Sequence, residues 1–431
     1  MLNKLDKKIT IGEDYLQERP DRYEKKISIG IFAFIFYILF IFFELISMIM
    51  HSSSDWGGLF IGSFFLGIII IFLYQYYNFK FKKKYIQILL LFFIIVFLQS
   101  IVSSFIFQHI NYYRFILTYI SIILIFFLSA LFVNITEKVN SISFHKVIIS
   151  AYIFLTIIGI ISIFFIRYHF LIRYRSPKSM LIFSEPSHFA LAYSPLLLYV
   201  SYISKSFGRF LAIFISILIA LIVHSLTLLL SIVIILMVLY RYLFFIILPL
   251  FSFLLFIIKF KIINSNYVNG NYFLSRFNIL SFKTNNASVL AYLYGWERAI
   301  IDFVRSYGIG VGFDQFGFVG AKSMPLLAKM HLPSLNLYDG TADGSKIIAE
   351  FGVFGVIILL IYLYYFLKIS NNFTKHKIEN NYVGIFFISC FLMFFVDLFV
   401  RGIGGYFSGV VFIFFSSIYW LFKTKASTFV I

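Results

Sequence analysis

KFKKKYIQILLLFFIIVFLQSIVSSFIF, residues 80–107, shows the pattern that decides the fold of this 431-residue chain. A cluster of lysines ends at Lys84, and the apolar run that follows reaches Phe107 without another charge. About 20 apolar residues cross the hydrocarbon core of a bilayer as an α-helix. The same pattern, an uncharged apolar run bordered by basic or polar residues, recurs along the chain. The sequence therefore predicts an all-α integral membrane protein.

The composition supports the same fold class. Hydrophobic residues make up 61% of the chain and charged residues 13%, with a mean hydropathy of +0.95. Soluble domains average about 45–50% apolar and about 25% charged residues. Long apolar runs, rather than alternation over about 10 residues, argue against a β-barrel. Much of the net charge of +18 lies in the N-terminal segment and in short loops, where it sets membrane topology. We therefore expect no nucleic-acid partner.

The apolar runs predict about twelve transmembrane helices. The predicted spans are residues 27–50, 57–79, 85–107, 112–134, 145–168, 185–204, 208–223, 225–240, 242–259, 347–367, 381–400 and 402–422. Residues 208–240 form either one long helix or two short spans, and two are favoured because the stretch is too long for one crossing. The predicted division is a cytoplasmic segment 1–26, a block of about nine spans 27–258, a large loop 259–346, a block of about three spans 347–422 and a cytoplasmic tail 423–431.

Positive charge predicts the orientation of these spans. Lys and Arg are concentrated in alternate connections, and the 51–56 connection has neither. The positive-inside rule then places both termini in the cytoplasm and the large loop, between spans nine and ten, outside. The connection 167–184 breaks the rule with four cations that include Arg173 and Arg175. Either the span count is off by one, or these cations bind an anion at the outer face. We favour anion binding, because the other reading would spoil the charge agreement downstream.

The sixth predicted span begins with the motif SEPSHFA, residues 184–190. Pro186 suits the first turn of a helix and Ser184 can cap it, so the motif predicts a well-capped helix start. It also places Glu185 and His188 three residues apart at membrane depth, where ionisable groups are costly and usually functional. Glu185 could pair with an arginine of the preceding loop or act as a general base.

Within the large loop, residues 294–305 predict an amphipathic helix that lies along the outer membrane surface. Its apolar positions have helical spacing: Leu293, Trp296, Ile300, Phe303 and Val304. Arg298, Asp302 and Arg305 share the polar face, either as an exposed ladder of ion pairs or as anion ligands. The glycines at 308, 310 and 312 follow a helix rather than a strand, so they predict a turn with close backbone approach, not a dinucleotide fingerprint.

The segment NLYDGTADGSK, residues 336–346, contains two Asp–Gly turns before the next span. Asp339 and Asp343 could serve as turn and cap residues or as catalytic carboxylates. The other ligands of a calcium loop are missing, so we expect no metal site here.

Asp397 and Arg401 are four residues apart at the outer end of the eleventh predicted span. This spacing allows them to neutralise each other on one helix face. Alternatively, Arg401 joins the arginines on the outer side.

Three local motifs in this order resemble the O-antigen polymerase (Wzy) family of the bacterial polysaccharide polymerase and O-antigen ligase superfamily. They are Ser184-Glu185-Pro186-Ser187, the segment from Trp296 to Gly308-Ile309-Gly310-Val311-Gly312-Phe313, and Ala349-Glu350-Phe351-Gly352-Val353-Phe354-Gly355. The resemblance implies a membrane-embedded glycosyltransferase of the GT-C type that needs no metal or other cofactor. It also implies the bacterial inner membrane, with the large loop at the periplasmic face.

The implied reaction transfers a growing glycan from undecaprenyl diphosphate onto a lipid-linked repeat unit, with a chain-length regulator as an expected protein partner. The leaving diphosphate needs cations, and arginine provides a fixed bidentate fork. The candidate diphosphate ligands are Arg173, Arg175, Arg298, Arg305 and Arg401. The acceptor hydroxyl needs a base, and the candidates, among which the sequence does not decide, are Glu185, His188, Asp339 and Asp343.

An O-antigen ligase and a polysaccharide flippase or other transporter are the alternatives. In the related ligases a histidine is expected just before the last-loop helix, where this chain has Asp339, Thr341 and Asp343; its nearest histidine is His331. A flippase should have two corresponding halves, whereas the two blocks here are unequal. Both observations favour the polymerase.

Overall fold

The computed structural model describes residues 27–50, 65–75, 81–164, 180–240, 286–321, 324–373, 381–403, 405–406 and 408–424. Within these ranges the regular structure is helical, apart from two isolated bridges at Met180–Phe183 and Phe316–Val319. Five helices are long and apolar enough to cross a membrane. The predicted class, an all-α membrane-embedded protein, is confirmed, whereas the count of twelve spans stays a prediction.

The described helices follow the chain in this order: α1 Ile29–Phe36, a π-helical turn Tyr37–Ile41, α2 Phe43–Met50, α3 Phe65–Gln75, α4 Lys83–Phe107, α5 Tyr112–Glu137, α6 Ser141–Phe164, α7 Pro186–Ile203, α8 Ser206–Ile222, α9 Leu226–Leu239, α10 Ala287–Arg305, α11 Pro325–Lys329, α12 Asp343–Phe351, α13 Val353–Phe373, α14 Tyr382–Phe399 and α15 Gly409–Lys423. The five long apolar helices are α4, α5, α6, α13 and α14.

The helix bounds correct two predicted spans. The span predicted to begin at residue 347 begins at Val353, because Gly352 (φ +58°) ends α12 and separates it from α13. The last helix begins at Gly409 rather than at residue 402. Residues 208–240 form two helices, α8 and α9, because His224 takes a left-handed conformation (φ +57°) and the Ser225 hydroxyl caps α9. The predicted span 242–259 lies outside the described residues.

Helix α14 lies at the centre of the bundle. It packs against α6, α7, α9, α12, α13 and α15. The protein itself buries 78% of the apolar window of α14, but only 22% of the windows of α4 and α13. The latter two helices therefore present most of their surface to lipid, and α14 supplies the core on which the other helices are arranged.

Helix α10 has its polar face inside and much of its apolar face outside. Arg298 and Asp302 are buried, whereas the side chains of Ile300 and Val304 are 62% and 67% exposed. The prediction of an exposed ladder of ion pairs on this helix is therefore wrong. An apolar face turned outward is what a helix on a lipid surface requires.

The outward face of α10 continues directly into a membrane-spanning helix. The Val353 N–H, at the first residue of α13, donates to the Gly308 carbonyl just after α10 at 2.7 Å. Val353 is itself exposed, and so are Ile357 and Leu360 further along α13. Exposed apolar side chains of both helices thus lie on either side of this contact, which supports the prediction that α10 lies against the membrane.

A spin label can test this placement, with Cys390→Ala removing the single native cysteine, which is buried. We expect a label at Val304→Cys to be more accessible to oxygen, which partitions into lipid, than to a water-soluble nickel chelate. A label at Ala328→Cys, on the exposed side of α11, should show the opposite preference. Equal preference for the nickel chelate at both positions would contradict a lipid-facing α10.

Candidate functional site

The glycine-rich segment after α10 docks against α12 and α4. A Cβ atom on Gly310 would lie 2.3 Å from the Glu350 carbonyl oxygen, so only glycine allows this approach. The Gln99 side-chain amide of α4 donates to the carbonyl oxygens of Ile309 (2.8 Å) and Glu350 (2.7 Å). The predicted turn with close backbone approach is confirmed. It fixes the path of the chain that follows, which carries Asp314.

Asp314 is a buried carboxylate held by two cations. The Arg114 guanidinium donates to it at 2.6 and 3.1 Å, the Lys346 ammonium at 2.9 Å and the Thr118 hydroxyl at 2.7 Å. Burial alone would raise the pKa of Asp314, but Lys346 and Arg114 lower it to about 2. Asp314 therefore stays ionised, and its ion pairs join α5, the large loop and α12.

Glu350 stabilises the same junction from α12. Its carboxylate accepts the backbone N–H groups of Asp314 (2.9 Å) and Phe316 (3.3 Å) and the hydroxyl of Tyr406 (2.6 Å). Burial raises the pKa of Glu350 to about 7. No local pattern connects Asp314 with Arg114, which is 200 positions away along the chain. Because its carboxylates and cations are paired with each other, this cluster is a positioning device and not an open binding site.

A separate cavity of about 190 Å³ lies where α7, α9, α10 and α14 meet. Its charged side chains, among the residues that the structure describes, are Glu185 and Arg401, which form an ion pair of 3.1 Å. The remaining polar lining is Ser187, Ser225, Thr227, Ser288, Tyr292 and Thr341. The apolar lining includes Leu226, Leu230, Val289, Phe399 and Val400. The cavity thus combines one cation, one carboxylate, several hydroxyl groups and an apolar wall.

The Glu185–Arg401 pair corrects two local predictions. Arg401 contacts Glu185 rather than Asp397, so the predicted pair within one helix is wrong. Pro186 is in the first turn of α7 as predicted, but Glu185, not Ser184, is the N-cap residue, and it makes no capping hydrogen bond. Its carboxylate accepts instead from the Ser187 hydroxyl at 3.0 Å and from Arg401. Glu185 is therefore held toward the cavity.

His188 lies at a second, smaller cavity of about 70 Å³. Its Nδ1 atom is 2.7 Å from Oε1 of Glu44, a residue of α2 that the sequence did not single out. The Ser184 hydroxyl donates to the same carboxylate oxygen at 2.7 Å. The Ser184 hydroxyl is also 2.7 Å from Nδ1 of His188, so Ser184 and Glu44 both contact the same ring nitrogen. In a Ser-His-acid triad the serine and the acid contact opposite nitrogens of the ring. His188 and Glu185 are neighbours in sequence but serve different cavities.

The other candidate residues that the structure describes do not line the larger cavity. Arg298 is buried and donates to the carbonyl oxygens of Leu337 (2.7 Å) and Asn336 (3.3 Å). Arg305 is exposed and follows Tyr292, the last residue of α10 in the cavity wall, by about 20 Å of helix. Arg173 and Arg175 lie outside the described residues. Of the five predicted diphosphate ligands, the structure places Arg401 at the cavity.

Two candidate bases, Asp339 and Asp343, lie outside the lining of the larger cavity. Asp343 is buried at the first turn of α12 and contacts the Asp397 carboxyl group. Asp339 is half-buried in the turn before α12. Burial raises the pKa of Asp339, and the charges of Lys346, Arg114 and Arg401 lower it in part. Asp339 therefore lies in the positive field between the buried cluster and the cavity.

Replacing Lys346 with methionine tests the buried cluster. The Lys346→Met variant leaves the Asp314 carboxylate short of one cation, and losing one partner of a buried pair costs about 3–5 kcal/mol. We expect a correspondingly lower unfolding temperature in detergent, measured by a thiol-independent fluorescence assay. Lys329→Met, on exposed α11, should have no such effect. Adding Asp314→Asn to Lys346→Met should recover part of the loss. Equal unfolding temperatures for Lys346→Met and Lys329→Met would contradict the ion-pair role.

Asp302 gives the large loop a pH-dependent stability. Its Oδ1 atom accepts the Ala321 N–H at 2.6 Å, and burial raises its pKa to about 6. Ionising this buried carboxyl costs free energy, so stability is lost as pH rises from about 4 to about 6, by at most about 3 kcal/mol. Asp302→Asn keeps an acceptor and cannot ionise.

The difference between the unfolding temperatures of Asp302→Asn and wild type should therefore shift in favour of Asp302→Asn as the pH rises from about 4 to about 6. Glu297→Gln changes an exposed carboxylate of the same helix and should show no such trend. A difference between Asp302→Asn and wild type that is constant with pH would contradict the explanation.

Comparisons of the chain with protein-family models, with curated proteins and with solved structures found no match. Across the described ranges, no group of three His, Cys, Asp or Glu side chains is arranged to hold a metal ion. Any assignment of function therefore depends on the chemistry of the cavity between Glu185 and Arg401.

Proposed function

We propose that this protein is a repeat-unit polymerase for O-antigen or a related capsular glycan, and that the Glu185–Arg401 cavity is its reaction site. The growing glycan leaves undecaprenyl diphosphate and joins a lipid-linked repeat unit at the periplasmic face of the bacterial inner membrane. The protein would then be a metal-independent glycosyltransferase of the GT-C type. The observation that supports this most is an arginine and a carboxylate that face one cavity with an apolar wall.

Arg401 suits the diphosphate leaving group. Its side chain is only 17% exposed, so water screens its charge weakly. Two parallel N–H groups can bind two phosphate oxygens at once, which a lysine cannot do with the same geometry. Charge that develops on the diphosphate as the bond breaks would be stabilised most strongly at this point.

Glu185 suits the role of the base. Of the four candidate bases it is the one that lines the cavity, and its side chain is 42% exposed. In the reaction, the acceptor hydroxyl oxygen attacks the anomeric carbon, the bond from that carbon to the diphosphate oxygen breaks, and the hydroxyl proton goes to the Glu185 carboxylate. A diphosphate that takes Arg401 would separate it from Glu185, and loss of the neighbouring cation makes a carboxylate more basic.

The surroundings of the cavity suit a substrate attached to a lipid. Leu226, Leu230 and Val400 provide an apolar wall next to the ion pair. A carrier with a charged headgroup and a hydrocarbon tail needs both kinds of surface at one place. The outward apolar face of α10 is relevant here, because the same helix contributes Ser288 and Tyr292 to the cavity. If α10 lies in the lipid headgroup region, the cavity lies at the depth of the carrier's diphosphate.

A transporter is less well supported by the described residues. Transport sites are expected near the bilayer midplane, between corresponding halves. Here the cavity and the buried Asp314 cluster both adjoin the large loop, at one end of the bundle. The ion pair of Lys423 with Glu137 lies at the last residue of α5, the end opposite to Arg114 and the Asp314 cluster. A ligase would perform the same bond exchange on another acceptor, so the glycan product has to separate ligase from polymerase.

Variants at the cavity test the proposal directly. Arg401→Ala should lower polymer formation about 100- to 1,000-fold, the effect of removing one strong donor from a developing charge, and Arg401→Lys should restore little. Glu185→Gln should have a similar effect, because an amide cannot accept the proton. Product would be measured as glycan length from purified lipid-linked repeat units and the protein in vesicles. Arg305→Ala is the matched arginine control and should give normal polymer.

Deleting the gene separates the alternatives through the glycan bands of lipopolysaccharide. Core that carries a single repeat unit indicates that ligation works and polymerisation does not, as we expect. Bare core with long polymer on the lipid carrier would select the ligase. Bare core with single units held on the cytoplasmic side would select the flippase, and either result would overturn the proposal.

A further inference from the structure

A pair of buried carboxyl groups lies directly behind the turn that carries Arg401. Asp343 begins α12, and Asp397 is in the last turn of α14. Both are almost fully buried and their carboxyl groups lie against each other, and Oδ2 of Asp397 has no hydrogen-bond donor among the described residues. A hydrogen bond between two carboxyl groups requires a proton on one of them, because two carboxylates have only acceptors.

The surroundings of Asp397 indicate which group holds the proton. Its Oδ1 atom accepts the Ile403 N–H at 3.2 Å, and its carboxyl group lies against that of Asp343. Among the described residues, no cation forms an ion pair with it: the ionisable groups that interact with it are Asp343 and the Tyr362 hydroxyl of α13. Lys346 binds Asp314, and Arg401 binds Glu185. An ionised Asp397 would thus be a buried charge without a cation, which is strongly unfavourable.

Backbone hydrogen bonds next to this carboxyl pair fix the chain around Arg401. The Arg401 N–H donates to the Val396 carbonyl at 2.9 Å, and the Gly402 N–H donates to the Thr341 carbonyl at 2.8 Å. A Cβ atom on Gly402 would lie 2.3 Å from Oδ1 of Asp343, so the turn is packed closely against the pair. Asp397 holds this turn at Ile403, two residues after Arg401.

We propose that Asp397 is a neutral carboxylic acid that donates a hydrogen bond to Asp343, and that this bond positions Arg401 in the cavity. Asp397 and Asp343 are then positioning residues, because neither lines the cavity. The assignment of Asp343 as a base is replaced by this role. The part of the inference that concerns Arg401 rests on the proposed function, whereas the proton on Asp397 does not.

Infrared spectroscopy tests the proton without any assay of activity. The purified wild-type protein in lipid at pH 7 should show the C=O band of a protonated carboxyl group that is absent from Asp397→Asn and present in the control Asp302→Asn. Asp302 accepts the Ala321 N–H and is not among the groups that act on Asp397. No loss of a protonated-carboxyl band in Asp397→Asn would overturn the proposal.

Two substitutions then separate positioning from simple packing. Asp397→Asn offers an N–H to Asp343 without needing a proton, whereas Asp397→Leu has similar size and no donor. Binding of inorganic diphosphate, measured by calorimetry, should be within about twofold of wild type for Asp397→Asn and weakened about tenfold or more for Asp397→Leu.

Equal loss of binding in both variants, with both folded by their unfolding temperatures, would overturn the positioning role. If Asp397→Leu does not fold, the Asn variant and the infrared band still decide. If wild type does not bind diphosphate at all, the proposed function fails on that point, while the infrared result for the Asp397 proton stands on its own.

Discussion

A carboxylate buried away from water needs cations beside it, and the position of the large loop depends on Asp314 meeting that condition. Arg114 comes from the start of α5 and Lys346 from α12, so a single side chain joins a long apolar helix, the loop and the short helix α12. Taking Asp314 away would remove the carboxylate that both buried cations share, and taking either cation away would leave Asp314 with one cation instead of two. The rest of the loop, including the turn before α12 that reaches the cavity, is arranged around this junction.

The cavity is assembled from segments that are distant in sequence. Glu185 comes from the start of α7 and Arg401 from the turn after α14. The Ser187 hydroxyl holds the Glu185 carboxylate, the Val396 carbonyl holds the Arg401 backbone, and the two side chains form an ion pair with each other. This arrangement has a chemical benefit. A cation and a carboxylate that neutralise each other are stable in the resting protein, and an anionic substrate has only to compete for one hydrogen-bonded pair.

The sequence was sufficient for the class of fold and for parts of the site. Apolar runs predicted the long helices, and the motif at Glu185 predicted a helix start with proline in its first turn, because these features depend on neighbouring residues. The pairing of Arg401 with Glu185 and of Arg114 with Asp314 could not be predicted, since nothing local relates residues about 200 positions apart. The faces of α10 were identified, but periodicity does not say which face is inside when the surroundings include both lipid and protein.

The π-helical turn at Tyr37–Ile41 has a consequence for how the second cavity could arise or disappear. The Phe42 N–H bonds to the Tyr37 carbonyl five residues back, so the helix contains one residue more than an α-helical turn. One residue corresponds to about 100° of rotation. The aromatic packing of Phe32 and Phe36 lies before the turn, and Glu44 lies after it. Loss of a single codon here would keep the first half of the helix in place and rotate Glu44 away from His188, so a deletion that changes neither residue would still break this acid–histidine pair.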